Sequence, residues 1–303
     1  MALLEDFTRT YVDTEAGPIH LAHAGVGPPL LLLHGYPQTH TMWHAIAPRL
    51  AAHFHVICPD LRGYGDSIKP AGGADHAAYS KRAMAQDCIE LMQTFGYTRF
   101  DVIGHDRGAR VGHRLALDHP AAVARLVVLD IAPTLAMFES TNQAFATGYY
   151  HWFFLIQPDG LPERMIGADP AYYLREKLTR WSGPNARFTP GAVAEYERCF
   201  SDPACIHASC EDYRAAAGID LEHDRADRGA GRRVDCPLLV LWGAHGFVHT
   251  MYDVLAVWRA YASAVTGRAL DSGHFVPEEA PDALYVELQR FLGITGPSRY
   301  DVE

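Results

Sequence analysis

The sequence has few basic residues and no long apolar run. Lys and Arg total 26 against 36 Asp and Glu, which leaves a formal net charge of −10. This balance argues against nucleic acid or an anionic membrane as a partner, because both attract basic surfaces. It does not exclude a small anionic substrate, since the local charge of a pocket can oppose the net charge.

No segment is apolar enough for a membrane span, which needs roughly 18 apolar residues in a row. The N-terminal stretch "MALLEDFTRTYVDTEAG" carries acids where a signal peptide has a basic start followed by an apolar run. We therefore expect a cytoplasmic protein with no membrane partner.

Motifs for metals and disulfides are also missing. The six cysteines form no C-x-x-C pair, and the closest group, Cys199, Cys205 and Cys210, does not have the spacing of a zinc site. The 17 histidines contain no H-E-x-x-H. We expect reduced thiols, no metal and no cofactor.

What is present is a regular alternation of short apolar runs with amphipathic stretches. The runs are "PLLLLHGYP", "HVICPDLRGYG", "RFDVIGHD", "ARLVVLDIAP" and "CPLLVLWGA". Continuous Val, Ile and Leu runs between helical patterns predict a mostly parallel sheet covered on both faces, which is an α/β fold. The opening segment "FTRTYVDTEAGPIHLAHAG" predicts a hairpin at the edge of that sheet.

This alternation stops after Pro133 and resumes near residue 232. The intervening stretch is rich in aromatic residues and helical in pattern, as in "AFATGYYHWFFLI" and "AYYLREKLTRW". We expect a core domain of residues 1–133 and 232–303, with residues 134–231 forming an inserted helical cap. The tail "TGPSRYDVE" is expected to be a loose end.

The segment "FDVIGHDRGARVGHRLAL" reads as a strand, a tight turn and a helix. Gly104 and Gly108 flank Asp106 at minus two and plus two, as glycines flank the serine in the nucleophile turn G-x-S-x-G. Small neighbours let the backbone fold sharply there, and the following helix directs its free N–H groups toward the turn. Asp is also a common helix N-cap, so the motif alone leaves a structural role open.

Two other segments support a catalytic role. "LLLLHGYP" ends a predicted strand close to the place where an oxyanion-binding N–H is needed, and "LDSGHFVPEEAPDAL" places His274 in a loop before the last helix. The order nucleophile, acid, histidine along the chain is the order that α/β hydrolases use.

With these segments the sequence resembles the α/β-hydrolase fold and, within it, the fluoroacetate (haloacetate) dehalogenases over nearly the whole chain. The resemblance is carried by "HGYPQTHTMW", "PDLRGYGDS", "GHDRGARVGHRLALDHP", "LDIAPT", "YHWFFLIQP", "CEDYRA" and "SGHFVPEEAP". Of these, "HGYPQ" and "DLRGYGDS" are shared with epoxide hydrolases. The resemblance implies conversion of a haloacetate to glycolate plus halide without a cofactor, in a homodimer.

An aspartate nucleophile suits displacement at a saturated carbon, since it is ionised at neutral pH and needs no base for its first attack. Attack by Asp106 expels the halide and leaves an alkyl ester. His274 then activates a water that attacks the carboxyl carbon of Asp106. The backbone N–H groups of Tyr36 and Arg107 are expected to hold the oxyanion.

The histidine also needs an acid to orient it. Many relatives place this acid after the strand that here ends "LVLWGAHG", where no carboxylate follows until Asp253. The preceding strand ends "VVLDIAP", so Asp130 is the predicted acid, in agreement with the dehalogenase pattern. Asp253 is the alternative.

Arg107 and Arg110 lie three residues apart at a helix start and therefore project to similar faces. Guanidinium groups bind carboxylates with two parallel hydrogen bonds, and the resemblance implies that both arginines bind the substrate carboxylate. Haloalkane dehalogenases typically carry Trp where this chain has Arg107, and a cation there suits an anionic substrate better. Arg114 is expected to be structural.

The departing halide needs hydrogen-bond donors, above all if it is fluoride. The resemblance implies that His151, Trp152 and Tyr213 supply them. Trp181 is a candidate for lining the pocket. Without the resemblance, His151 and Trp152 read as part of an aromatic core.

Three other functions stay open at this point. An epoxide hydrolase uses the same Asp–His–acid set, with Tyr213 and Tyr149 or Tyr150 as proton donors, but leaves the arginine pair without a task. A dehalogenase that prefers chloroacetate or bromoacetate differs only in the size of the halide site. A binding protein of this fold without turnover is disfavoured by the presence of Asp106, Asp130 and His274 together.

Overall fold

The computed structural model describes residues 3–295 and contains one mixed sheet of eight strands. The order across the sheet is β1-β2-β4-β3-β5-β6-β7-β8. The strands are β1 (Thr8–Thr14), β2 (Gly17–Ala24), β3 (Pro29–Leu33), β4 (His55–Pro59), β5 (Phe100–His105), β6 (Val123–Leu129), β7 (Leu238–Gly243) and β8 (Val265–Leu270).

Strands β3 to β8 pair in parallel, whereas β1 pairs antiparallel with β2 and β2 antiparallel with β4. The predicted edge hairpin and mostly parallel sheet are thus confirmed. Strands β5 and β7 are buried along their whole length, as expected for strands inside a parallel sheet. The sequence of β7 is almost wholly apolar, whereas β5 also buries Asp101 and His105. Strand β8 was not predicted, because "VTGRAL" is a partly exposed edge strand with Gly and Arg inside it.

Helices connect the strands of this sheet along the chain. The first three are α1 (Ala47–Ala51), α2 (Lys81–Thr94) and α3 (Arg107–Asp118). Helix α3 follows β5 directly and is buried over most of its length, since it packs against α2 and strands β3, β5 and β6.

Between β6 and β7 the chain forms eight helices and, from residue 134 to 229, no strand. They are α4 (Thr134–Glu139), α5 (Gln143–Gly148), α6 (His151–Phe154), α7 (Leu161–Gly167), α8 (Pro170–Trp181), α9 (Pro190–Phe200), α10 (Pro203–Ala217) and α11 (Ile219–Gly229). Helices α8 and α10 each begin with Pro after a capping Asp. Asp is a favoured N-cap residue and Pro is favoured at the first helical position, so this pair of residues defines where each helix begins.

Four more helices follow β7. They are α12 (Phe247–Met251), α13 (Val254–Arg259), α14 (Val276–Glu279) and α15 (Pro281–Leu292). Helix α15 packs its apolar face, which includes Leu284 and Leu288, into the core. None of the helices within residues 3–295 has the length and apolar character to cross a membrane.

All six cysteines are free thiols, and five of them are buried. The predicted tail from residue 295 onward lies almost wholly outside the described residues.

Candidate active site

Three side chains predicted to act together meet at the carboxyl ends of the parallel strands. Asp106 follows β5, Asp130 follows β6, and His274 follows β8. Because β5 and β6 are neighbours in a parallel sheet, both carboxylates lie at one edge of the sheet. The loop after β8 returns to the same edge, and all three side chains are at least nine-tenths buried.

The turn at Asp106 is sharp. Asp106 has a φ of +46°, a value that L-residues rarely adopt, and it caps helix α3. A Cβ at Gly108 would collide with the backbone carbonyls of Leu33 and His34 at the end of β3, so the helix can approach that strand only with glycine there. The local sequence therefore presents the carboxylate at the start of α3.

The two oxygens of the Asp106 carboxylate have different surroundings. Oδ1 accepts the backbone N–H of Arg107 at 2.6 Å and that of Tyr36 at 3.3 Å. Oδ2 lies 3.7 Å from Nε2 of His274. Burial alone raises the pKa of Asp106, but the nearby His274, Arg107 and Arg110 outweigh burial and lower the net pKa, which favours the carboxylate.

His274 is held by Asp130 through a short hydrogen bond of 2.6 Å between Nδ1 and Oδ2. Asp130, with a φ of +52°, also accepts the backbone N–H of Gly243 at 3.0 Å through its other oxygen. Burial lowers the pKa of His274, yet the bond to Asp130 and the charges of Asp130 and Asp106 raise it overall. The Nε2 atom has no hydrogen-bond partner within the described chain and faces Asp106.

His105 contacts both the backbone and the ring of His274. Its Nε2 lies 2.8 Å from the backbone carbonyl oxygen of His274, and the two rings are 4.6 Å apart between centroids. Burial first, then the nearby His274, lowers the pKa of His105 to about 3, so its ring is neutral. A neutral ring that donates from Nε2 fixes the His274 backbone without adding charge to the site.

The two arginines do not have equivalent surroundings. The Arg107 guanidinium makes a paired contact with Asp212, through Nε to Oδ2 at 2.9 Å and Nη2 to Oδ1 at 2.7 Å. It also stacks on the Tyr213 ring, 4.2 Å from the ring centroid. Only Nη1 of this group lacks a partner among the described residues.

Arg110 is buried, and no carboxylate of residues 3–295 makes an ion pair with it. Its Nη1 donates to the carbonyl of Ala132 at 3.0 Å and to the hydroxyl of Thr134 at 2.9 Å. Its guanidinium lies 4.8 Å from the centroid of the Trp152 ring. Burial and then the charge of Arg107 lower the pKa of Arg110. An anion bound beside this guanidinium would raise the pKa and so oppose both effects.

His151 and Tyr213 meet near Arg107, with ring centroids 5.6 Å apart. Nδ1 of His151 and the hydroxyl of Tyr213 are buried and have no hydrogen-bond partner within residues 3–295. Burial, followed by the charges of Lys177 and His274, holds the pKa of His151 well below its usual value, so the ring is neutral. Two buried polar groups without partners mark a place where a polar ligand fits.

Trp181 borders the same space. Its ring centroid is 4.6 Å from that of His151 and 5.4 Å from that of His274, and its carbonyl accepts the backbone N–H of His274 at 2.8 Å. Lys177, one turn earlier on α8, donates to the Tyr150 hydroxyl at 2.7 Å.

The remaining sequence candidates lie elsewhere. Asp253 caps α13 by accepting the N–H of Ala256 at 3.1 Å, so it is not the partner of His274. Arg114 forms ion pairs with Asp118, Asp224 and Asp227. His245 lies 2.6 Å from Asp271 at the surface, and His249 accepts the Trp242 indole N–H at 3.0 Å.

A separate polar group lies beside β2 and β4. His20, His40 and Asp60 come close enough to share an ion, but Nδ1 of each histidine already lies 2.8 Å from the Asp60 carboxylate. Hydrogen bonds between these side chains account for their burial. The absence of a metal stays a prediction.

Comparison with known proteins gives the family. Residues 28–281 match the α/β hydrolase fold family. A fluoroacetate dehalogenase from Burkholderia sp is 47% identical over 96% of this chain and 95% of its own length. This chain belongs to the fluoroacetate dehalogenase family of α/β hydrolases.

Two further relatives agree on the fold. A solved α/β hydrolase structure from Nostoc sp PCC 7120 is 59% identical, with 96% of this chain and 99% of that one covered and a TM-score of 0.94. A soluble epoxide hydrolase from Corynebacterium sp. (strain C12) is 38% identical over 87% of this chain and 89% of its own length. The α/β-hydrolase fold and the resemblance drawn from the sequence are confirmed.

For this α/β hydrolase, the sequence pointed to most of the site but missed one part of it. Asp212, Lys81 and Tyr64 form a buried group around Arg107 that the motifs did not reveal. Asp212 belongs to the segment "CEDYRA", next to Tyr213. The sequence does not show that this carboxylate is buried between positive groups.

Proposed function

We propose that this hydrolase converts haloacetates to glycolate and halide through a covalent ester on Asp106. The observation that carries the proposal is Arg110, a buried guanidinium beside Asp106 that has no carboxylate partner within residues 3–295. A buried cation with no carboxylate in direct contact is costly, and the carboxylate of a haloacetate would supply that contact close to the nucleophile. A neutral substrate would not supply it.

The different surroundings of the two Asp106 oxygens suggest their roles. Because Oδ1 is held by two backbone N–H groups, we take Oδ2 as the nucleophile that attacks the halogen-bearing carbon. The carbon–halogen bond breaks as the new carbon–oxygen bond forms, and the halide leaves with the bonding electrons. His151, Trp152 and Tyr213 are the proposed donors to the halide.

In the second step His274 takes a proton from a water, and the water oxygen attacks the carboxyl carbon of Asp106. Negative charge then develops on Oδ1, where the N–H groups of Tyr36 and Arg107 already point. Collapse of this intermediate breaks the ester bond, releases glycolate and restores the carboxylate. Ester formation removes the Asp106 charge, which is one cause of the raised pKa of His274. The pKa of His274 therefore falls in the ester, which favours the neutral ring that a general base needs before it takes the proton from water.

Helices α4 to α11 lie within residues 134–231, the proposed cap. They carry the rings of Trp152, Tyr213 and Trp181, which contact Arg110, Arg107 and His274 respectively, and His151, which contacts Trp181. The homodimer and the cytoplasmic location that the resemblance implies stay predictions.

Halide release tests the function directly. Purified protein is incubated with fluoroacetate or chloroacetate, and free fluoride or chloride is measured, with Asp106→Ala as the control. Halide that depends on Asp106 supports the proposal, and chloride without fluoride assigns a site for larger halides. If neither ion appears, the function is rejected.

An epoxide hydrolase is the second candidate, favoured by the Tyr213 hydroxyl, which has no partner among the described residues and could protonate an epoxide oxygen. The same assay with a small neutral epoxide separates the two functions. Diol formation without halide release would favour this candidate.

A further inference from the structure

We propose that Asp212 is a positioning residue for carboxylate binding, which it controls by holding the Arg107 guanidinium in one orientation. The inference rests on the proposed function for the identity of the substrate. Asp212 lies on α10, whereas Arg107 begins α3, so the pair also joins the helical segment to the core at the site.

Among residues 3–295, this contact leaves one guanidinium nitrogen of Arg107 without a partner. Asp212 accepts Nε through Oδ2 and Nη2 through Oδ1, and its backbone carbonyl accepts Nη2 again at 3.0 Å. Nη1 is therefore the atom of Arg107 left for a substrate. A paired contact of this kind fixes the plane of the guanidinium as well as its position.

Asp212 is itself fixed from two other sides. The Tyr64 hydroxyl donates to Oδ2 at 2.7 Å, and the Lys81 ammonium forms an ion pair with Oδ1. Asp212 is fully buried, and burial is outweighed by Arg107 and Lys81, which hold the pKa of its carboxyl well below the usual range. Its charge is thus a permanent feature of the site.

Asp220 offers a matched contrast at the same junction. It accepts the Lys81 backbone N–H at 2.8 Å and lies 3.6 Å from the Lys81 ammonium, and within residues 3–295 it makes no hydrogen bond or ion pair with Arg107. Asp220 is also buried, with 4% of its surface exposed, so the two carboxylates have similar exposure. Loss of either carboxylate removes one negative charge, but only loss of Asp212 frees Arg107.

A freed guanidinium would turn toward another anion. Asp106 lies within electrostatic range of Arg107, and pairing between them would occupy both the nucleophile and the cation that should meet the substrate. We therefore expect Asp212→Asn to weaken carboxylate binding and slow halide release, although it makes the site more positive.

The test measures acetate binding by titration calorimetry, because acetate has the carboxylate of a haloacetate and no leaving group. We expect wild type to bind acetate. Asp212→Asn should raise the acetate Kd by at least about tenfold, whereas Asp220→Asn should change the Kd by less than about threefold. Unchanged or tighter binding by Asp212→Asn, an equal loss in Asp220→Asn, or no binding by wild type would overturn the inference.

Two further variants separate positioning from folding. The double variant Lys81→Met/Asp212→Asn loses one positive and one negative charge, so its Tm should be closer to that of wild type than the Tm of Asp212→Asn is. It should still bind acetate about tenfold more weakly than wild type does. In an Arg107→Lys background, Asp212→Asn should change the acetate Kd by less than about twofold, since its effect acts through the guanidinium. Restored affinity in the first case or full additivity in the second rejects the role of Asp212.

Halide release is measured on the same proteins. If wild type binds acetate and Asp212→Asn loses it, but no haloacetate is turned over, the proposed function fails and the positioning role stands. If wild type releases halide and Asp212→Asn binds acetate normally, only the positioning role fails.

Discussion

At the scale of single residues, His274 is assigned to the second chemical step alone, because Asp106 attacks without help from a base. His274→Ala should therefore release about one equivalent of halide per active site and then stop. Intact-protein and peptide mass spectrometry should find one carboxymethyl group on Asp106. Protein that stays unmodified after long incubation with chloroacetate would contradict the two-step scheme.

Arg110 provides a second prediction at this scale. Arg110→Lys keeps the charge but loses the planar pair of donors, so the KM for chloroacetate should rise by about tenfold, the effect of losing a charge-assisted hydrogen bond of about 1.5 kcal/mol. Arg180→Lys is the control, since Arg180 is exposed and pairs with Glu176. Equal KM values for Arg110→Lys and the control would remove Arg110 from the site.

At the scale of elements, the turn between β5 and α3 determines whether Asp106 can face the substrate. Gly108→Ala should destabilise the fold by about 1–3 kcal/mol and abolish activity, because the new Cβ meets backbone carbonyls that cannot move aside. Gly167→Ala in α7 is the control, since nothing lies within 4 Å of the added Cβ. Urea unfolding of both variants measures the difference, and an unaffected Gly108→Ala would contradict this account of the turn.

The elements also show what the sequence could and could not predict. Asp106 and Asp130 follow predicted strands, and the carboxyl ends of parallel strands meet at one edge of a sheet, so their proximity was predictable. His274 follows β8, which was not predicted, and its role was expected from the order nucleophile, acid, histidine along the chain. The Arg107–Asp212 pair joins residues 105 positions apart on two helices, and no local pattern encodes such a contact. Residues 134–231 were predicted as helical, but the packing that brings His151 to Tyr213 depends on tertiary contacts.

At the scale of the whole molecule, Lys177 couples stability to pH. It is buried between the rings of Tyr150, Tyr173 and Trp181, and burial lowers its pKa to about 7. An unfolded lysine keeps its proton to about pH 10.4, so between these two values the unfolded state binds more protons and folding becomes more favourable as pH rises.

Lys177→Met removes this titration. The Tm of the variant relative to wild type should therefore be higher at about pH 6.5 than at about pH 9.5, as measured by thermal unfolding in matched buffers. Arg175→Met, which alters an exposed residue of α8 that pairs with Glu197, is the control and should show a Tm difference that varies little with pH. A pH-independent difference for Lys177→Met would show that Lys177 keeps an ordinary pKa in the folded protein.

In the proposed mechanism water attacks the carboxyl carbon of Asp106 and not the substrate, and a single turnover in ¹⁸O-labelled water distinguishes these two reactions. Enzyme in excess over chloroacetate is allowed to react once, and the glycolate and the peptide containing Asp106 are analysed by mass spectrometry. The account predicts unlabelled glycolate and ¹⁸O in the Asp106 carboxylate. Label in the first glycolate, with none in Asp106, would show direct attack by water on the substrate and contradict it.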